Sequence, residues 1–312
     1  MRADKHKKKK RWIKIFGFLS ILLFVAAGSY VYSIYHSLNN TMVAMNENEA
    51  RAKSDKREEN LSLNKKQPFS VLLLGVDERQ GDRGRSDTMI VVTVNPQENS
   101  TKMVSIPRDT RTEIIGKDFE DKINHAYAYG GIDMSLDTVE AFLDIPIDYY
   151  AKINMEGLED IVNAVGGVTV QNELNFTYKG KTFTEGTLTL NGEEALLFSR
   201  MRKNDPNNDF GRQARQRQII QAIIKEGASV SSLWNFGDIF KSIGNNVKTN
   251  LSLAEMVDIQ QNYKSATQNI NQRQLEGSGA MISNGEKEIY YYIVAKEEQQ
   301  IVQQELKKHL NL

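Results

Sequence analysis

The chain contains no cysteine. Disulfides, thiolate metal sites, cysteine nucleophiles and a lipid-modified cysteine are therefore excluded. Histidine is scarce too, with four in 312 residues, and none has the partner spacing of a hydrolase triad or a zinc site. His125 is the most conspicuous of them, and a lone histidine is usually structural. The chain also lacks a Gly-x-Ser-x-Gly elbow, a Walker lysine loop and a dinucleotide fingerprint. Five prolines and 21 glycines carry no fibrous or low-complexity signature.

Net charge is absent as well, at a formal +0, but this zero hides an asymmetry. Residues 1–14 carry eight basic side chains against Asp4, which leaves 32 basic and 39 acidic residues in 15–312. A mildly acidic body argues against general nucleic-acid binding, which needs a broad basic footprint. A polyanionic ligand would have to meet basic residues gathered locally.

What is present begins with IFGFLSILLFVAAGSYVYSIY, 21 uncharged residues from Ile15 to Tyr35. At 1.5 Å per residue such a helix is roughly 30 Å long, enough to cross a bilayer. The basic block KHKKKKR before it predicts a cytoplasmic N-terminus. The expected layout is a cytoplasmic tail over 1–14, a signal anchor over 15–35, a polar stalk over 36–67 and a folded domain over 68–312 outside the cytoplasmic membrane. Val25-Ala26-Ala27 leaves a cleaved signal peptide as the alternative.

Within the domain, apolar runs predict strands at Phe69–Asp77, Thr88–Asn95, Lys102–Ile106, Tyr149–Asn154, Val168–Val170, Lys181–Leu190 and Tyr290–Val294. Helices are expected at Leu136–Leu143, Leu158–Val165, from Asn191, and over Gly211–Glu226, Leu233–Ile243, Leu253–Tyr263 and Glu297–His309. This alternation predicts an α/β domain in three α/β/α layers around a mixed sheet.

Ten of the 15 arginines fall in two clusters: Arg79, Arg83, Arg85, Arg108 and Arg111, then Arg200, Arg202, Arg212, Arg215 and Arg217. Between 112 and 199 there is none. The planar guanidinium suits bidentate contact with phosphate, so two clusters in an acidic domain suggest a pyrophosphate or phosphodiester ligand. For Arg215 and Arg217 a solvated helix face is an equal reading. Asp77, Asp87, Arg85 and Arg108 all fall at expected strand ends, where α/β proteins bind ligands. Asp77 and Asp87 are hard oxygen donors suited to Mg²⁺ or Mn²⁺ beside substrate phosphates; a lone Asp is more often a turn or cap residue than a metal ligand, and the flanking arginines shift that balance. Asp209 precedes a helix N-terminus, and Arg212 and Gln216, four apart, share one helix face while Arg215 points elsewhere.

The ordered blocks LLLGVDER (72–79), GRSDTMIV (84–91), VSIPRDT (104–110), KINHAYAYGG (122–131), FSRMR (198–202) and DFGRQARQRQ (209–218) resemble the LytR–CpsA–Psr family. Within it they are most similar to the Bacillus-type teichoic acid transferases. The resemblance implies an enzyme that takes an anionic glycopolymer, wall teichoic acid foremost, from a polyprenyl pyrophosphate carrier held in a long apolar pocket. It would attach the polymer to peptidoglycan through a phosphodiester. On the matching positions, Asp77 and Asp87 would hold Mg²⁺. Arg85, Arg108, Arg200, Arg202, Arg212 and Gln216 would grip the pyrophosphate, with Arg108 and Arg212 counted as catalytic. Asp209 would be the general base or an orienter of the arginines. Val71–Leu74, Ile90–Val92 and Ile219–Ile224 could line the lipid tunnel or be ordinary core. A lipid pyrophosphate hydrolase and a non-catalytic envelope protein are the competing readings.

Overall fold

The structure, a computed structural model, describes residues 54–57, 59–77, 84–203, 205–229, 246–283 and 285–312, with isolated positions before residue 46 and Ile243. The expected segment 15–35 lies outside the described residues, as do the tail 1–14, Arg79, Arg83 and all of the expected helix Leu233–Ile243 except Ile243. Among the described residues no helix is long and apolar enough to cross a membrane.

In chain order the elements are β1 (Phe69–Val76), β2 (Ser86–Asn95), β3 (Ser100–Ser105), a small hairpin of β4 (Arg111–Glu113) and β5 (Glu120–Lys122), and α1 (His125–Leu143). Next come β6 (Tyr149–Ile153), α2 (Met155–Ala164), β7 (Val168–Asn172), β8 (Phe176–Tyr178), β9 (Lys181–Phe183), β10 (Gly186–Leu190) and α3 (Gly192–Arg200). The long α4 (Asn208–Ser229), β11 (Val247–Thr249), α5 (Leu253–Asn262), β12 (Asn269–Gln274), β13 (Ser278–Ser283), β14 (Glu288–Ile293) and α6 (Lys296–His309) complete the domain.

Six strands form the central sheet in the order β11-β6-β1-β2-β3-β12. The β1–β2, β2–β3 and β11–β6 pairs are antiparallel, while β1–β6 and β3–β12 are parallel, so the sheet is mixed. Side-chain alternation divides it into two faces. Leu72, Leu74, Val76, Met89 and Val91 pack with α1 and α6. Leu73, Ile90 and Val92 face the opposite way, against Ile220 and Ile224 of α4. Helices thus cover both faces of the sheet.

Several elements differ from expectation. The helix expected from Leu136 starts at His125 and is kinked at Gly130–Gly131. Gly131 has φ 68, a conformation that L side chains rarely adopt, so the apolar period is legible only after the kink. The single strand expected over Lys181–Leu190 is two, because Gly186 turns the chain at φ 114. Asn191 does cap α3, through a capping box with Glu194. Ahead of β1 the stretch from Ser54 is fastened to the domain. Ser54 Oγ donates to the buried Glu140 at 2.5 Å, Lys56 pairs with Asp144, and Arg57 grips Asp148 through Nε and Nη2 at 2.8 and 2.9 Å.

His309, the last residue of α6, is buried. Its Nδ1 lies 2.7 Å from Thr93 Oγ1 and its Nε2 2.9 Å from Ser100 Oγ, clasping α6 to β2 and β3. Burial holds its pKa below the ordinary value; Lys102 acts the same way and Glu98 and Glu305 oppose it. The folded state therefore prefers the neutral ring. The stability it gives is full above about pH 6.5 and declines as pH falls through the lower folded-state value. Thermal unfolding between pH 7.5 and 5 is expected to show this decline, and His309→Gln to flatten it. Equal slopes for both proteins would rule the effect out.

Candidate active site

The site is built at one rim of the sheet, where β1 ends and β2 begins. Val76 pairs with Ser86 and Gly75 with Thr88, so Asp87 is the extra residue of a β-bulge. Bulges re-aim a side chain, and Asp87 receives Arg108 from the loop after β3, with Nη1 to Oδ1 at 2.7 Å. β3 ends at Ser105, and Arg108, just after Pro107, reaches the start of β2. Next to it Asp109 accepts Lys122 Nζ at 2.7 Å. The first turn of α4 arrives from the other side. Arg212 Nη2 lies 2.7 Å from Asp209 Oδ1, and Gln213 Nε2 donates to Asp209 Oδ2 at 3.0 Å.

Two cavities meet here. The first, of about 250 Å³, has an apolar floor including Leu73, Leu158, Ile219 and Ile220, and carries Asp77, Asp87, Arg200, Arg212 and Gln216 in its wall. The second, of about 500 Å³, is lined by Arg108, Asp109, Arg202, Asp209, Gln213 and the rings of Phe210, Tyr290 and Tyr292, among others. Two ion pairs form the partition between them. Asp87 and Arg212 face the first cavity, and their partners Arg108 and Asp209 face the second.

The partition is short of hydrogen bonds. Arg212 Nε and Nη2, Arg108 Nε, Gln216 Oε1 and Asp209 Oδ1 are buried without a hydrogen-bond partner. The Arg212–Asp209 approach is thus an ion pair whose angles do not make a hydrogen bond. Burial lowers the Arg212 pKa and Arg108 and Arg202 lower it further, against Asp209 and Asp87. For Arg108 burial is also the largest influence, but Asp87, Asp209 and Asp109 together raise its pKa above the ordinary arginine value. Buried guanidinium donors lacking acceptors are costly, and anionic oxygens would satisfy them. Asp77 and Asp87 at the same cavity offer the one or two carboxylates that Mg²⁺ uses beside phosphate oxygens. No cluster of three or more acidic or histidine ligands occurs among the described residues.

Of the residues singled out in the sequence, Asp77, Asp87, Arg200, Arg212 and Gln216 come together at the first cavity and Arg108, Arg202 and Asp209 at the second. Arg85 is exposed at the start of β2 and lines neither. Arg217 donates to Ser105 Oγ at 2.9 Å, and Arg215 is buried among Asp205, Phe198 and Met201, so a solvated face describes neither residue. Leu73, Leu74, Ile219 and Ile220 line the apolar cavity, whereas Ile90 and Val92 pack in the core beneath α4. His125 is structural: Nδ1 lies 2.7 Å from Asp121 Oδ2, which also accepts Tyr129. Phe210, Gln213, Tyr290 and Tyr292 were not singled out in the sequence, although Phe210 and Gln213 stand inside the DFGRQARQRQ block.

The LytR_cpsA_psr family model matches residues 32–308. The polyisoprenyl-teichoic acid–peptidoglycan teichoic acid transferase TagU of Bacillus subtilis is 51% identical over 310 residues, covering 99% of each chain. The crystal structure of B. subtilis TagU superposes with a TM-score of 0.64 at 51% identity, over 78% of this chain and 97% of that one. A structure of TagT bound to LIIa-WTA superposes with a TM-score of 0.73 at 36% identity, covering 83% and 97%. The chain belongs to the LytR_cpsA_psr family.

Proposed function

We propose that this protein is a TagU-type transferase that moves wall teichoic acid from a polyprenyl pyrophosphate carrier onto a peptidoglycan hydroxyl. The observation that carries this reading is the partition of two ion pairs between an apolar and a polar cavity. A pyrophosphate at the partition would meet Arg212, Arg200 and Gln216 from one side and Arg108 and Arg202 from the other, with Arg85 at the rim. Its lipid would lie over Leu73, Ile219 and Ile220. Asp77 and Asp87 would hold Mg²⁺, which when bound supplies positive charge against the phosphate oxygens.

In the transfer the acceptor oxygen forms a bond to phosphorus, the bond to the departing polyprenyl phosphate breaks, and the hydroxyl proton passes to Asp209. Asp209 faces the polar cavity, the side from which an acceptor would come, and its Oδ1 is held by the ion pair with Arg212 rather than by a hydrogen bond. The arginines stabilise charge on the leaving phosphate, since such transfers are catalysed mainly by positioning and electrostatics. The basic tail 1–14 and the uncharged run 15–35 support a single-pass anchor with the domain on the outer side of the membrane.

The test uses the full chain in detergent with a polyprenyl-pyrophosphate-linked disaccharide, Mg²⁺ and uncrosslinked glycan strands, read by mass spectrometry. Glycan bearing the sugar phosphate, together with released polyprenyl phosphate, is the expected result. Asp209→Asn is expected to slow adduct formation by roughly a hundredfold, in the range for a lost general base. Polyprenyl phosphate without adduct would overturn the reading in favour of hydrolysis.

A further inference from the structure

The polar cavity contains more than a proton acceptor needs. Phe210 and Tyr290 stand at its wall 42% and 45% exposed, although large aromatic side chains are costly to leave in water. They come from the start of α4 and from β14, 80 positions apart in the chain. Tyr292 joins them, its ring centroid 5.8 Å from that of Phe210. Lys122 Nζ lies 6.0 Å over the Tyr290 ring while it pairs with Asp109, which ties the aromatic wall to the loop that carries Arg108. Amides line the same cavity, from Asn207, Asn208 and Gln213, and Gln213 Oε1 is buried without a hydrogen-bond partner.

Flat apolar faces beside amide donors and acceptors match a saccharide, which presents C–H faces and a rim of hydroxyl and acetamido groups. A lipid would not use the amides, and a simple anion would not use the rings. Because Asp209 and Arg108 belong to the same wall, a sugar here would place a hydroxyl beside the partition.

We infer that the polar cavity is the acceptor subsite, which binds one amino-sugar ring of the glycan strand on Phe210 and Tyr290 and so directs the transferred group to a sugar hydroxyl rather than to water. This rests on the transferase reading above and specifies its acceptor side.

Both rings are exposed, so Phe210→Ala and Tyr290→Ala test the assignment without emptying the core. In the full chain each is expected to raise the KM for uncrosslinked glycan strands roughly tenfold, the scale of one lost ring contact. The KM for the lipid-linked donor should stay within about twofold. Phe210→Tyr, which keeps the ring, should restore the acceptor KM. An unchanged acceptor KM in both alanine variants would overturn the assignment. So would a raised donor KM with an unchanged acceptor KM, because the donor's own sugar would then occupy the cavity. Direct titration of glycan strands into the protein without donor separates this proposal from its parent. If the wild type forms no adduct, weakened strand binding in the alanine variants still supports the subsite, and undiminished binding refutes it.

Discussion

Arg212→Ala is expected to lower transfer by about a thousandfold, the scale for removing a positioned cation from a phosphoryl-type transition state, without lowering the melting temperature. The two expectations share one cause. Arg212 is largely buried, its side chain 12% exposed, and its Nε and Nη2 have no hydrogen-bond partner. In the free protein the guanidinium thus bears a desolvation cost that one ion pair with Asp209 offsets only in part. Removing it relieves that cost, and Asp209 keeps Gln213 at 3.0 Å and Arg202 at 3.9 Å. The combination of lost turnover and retained or raised melting temperature separates a ligand-binding arginine from a structural one. Transfer within tenfold of wild type, or a clear drop in stability, would contradict this role.

Arg215→Ala is expected to do the opposite, costing about 3–5 kcal/mol of stability, the range for breaking a buried ion pair from one side. Its side chain is 8% exposed and that of Asp205 is 4%. The guanidinium donates to Asp205 Oδ2 at 2.5 Å, to the Phe198 carbonyl at 3.0 Å and to the Met201 carbonyl, and stacks over the rings of Phe176 and Phe198. It therefore ties the loop after α3 to α4, beside the helix face that lines the first cavity. Gly211 belongs to the same device, since a Cβ there would meet Asp205 Oδ2 at 1.9 Å. Loss of the pair strands a buried carboxylate and two carbonyls. Chemical denaturation should show the midpoint falling steeply; a shift under 1 kcal/mol would mean that the network contributes little. Arg212 and Arg215 are three residues apart on one helix, and one should affect rate while the other affects folding.

That distinction marks the limit of what the chain reveals before it is folded. The central strands were legible because Phe69–Val76 and Ser86–Asn95 are apolar runs that end in turn residues. The edge strand Asn269–Gln274 was not, because NINQRQ carries a single apolar residue, Ile270, and its only strand partner in the sheet is β3. Clustering identified arginine as the chemical currency of the site, but spacing could not show that Arg215 turns inward while Arg212 turns toward the rim. The second cavity was invisible for a simpler reason. Phe210 and Tyr290 lie 80 positions apart in the chain, and only the tertiary fold brings them together. Asp87 was read as a residue at a strand end, yet what directs it is a bulge, which depends on the partner strand as much as on its own.

The partition of paired charges has a consequence for selectivity. Asp87 and Asp209 already pair with Arg108 and Arg212, so the charge that these two arginines present to a passing anion is largely offset. An incoming ligand must compete with two built-in carboxylates. A monovalent anion gains too little from one guanidinium to displace its resident partner, whereas a pyrophosphate can engage several at once. Its arrival would also release the displaced carboxylates, freeing Asp87 for a cation and Asp209 for a proton. The same four side chains would then act as a lock against simple salts and as a trigger that arms the site only when a multivalent phosphate is in place.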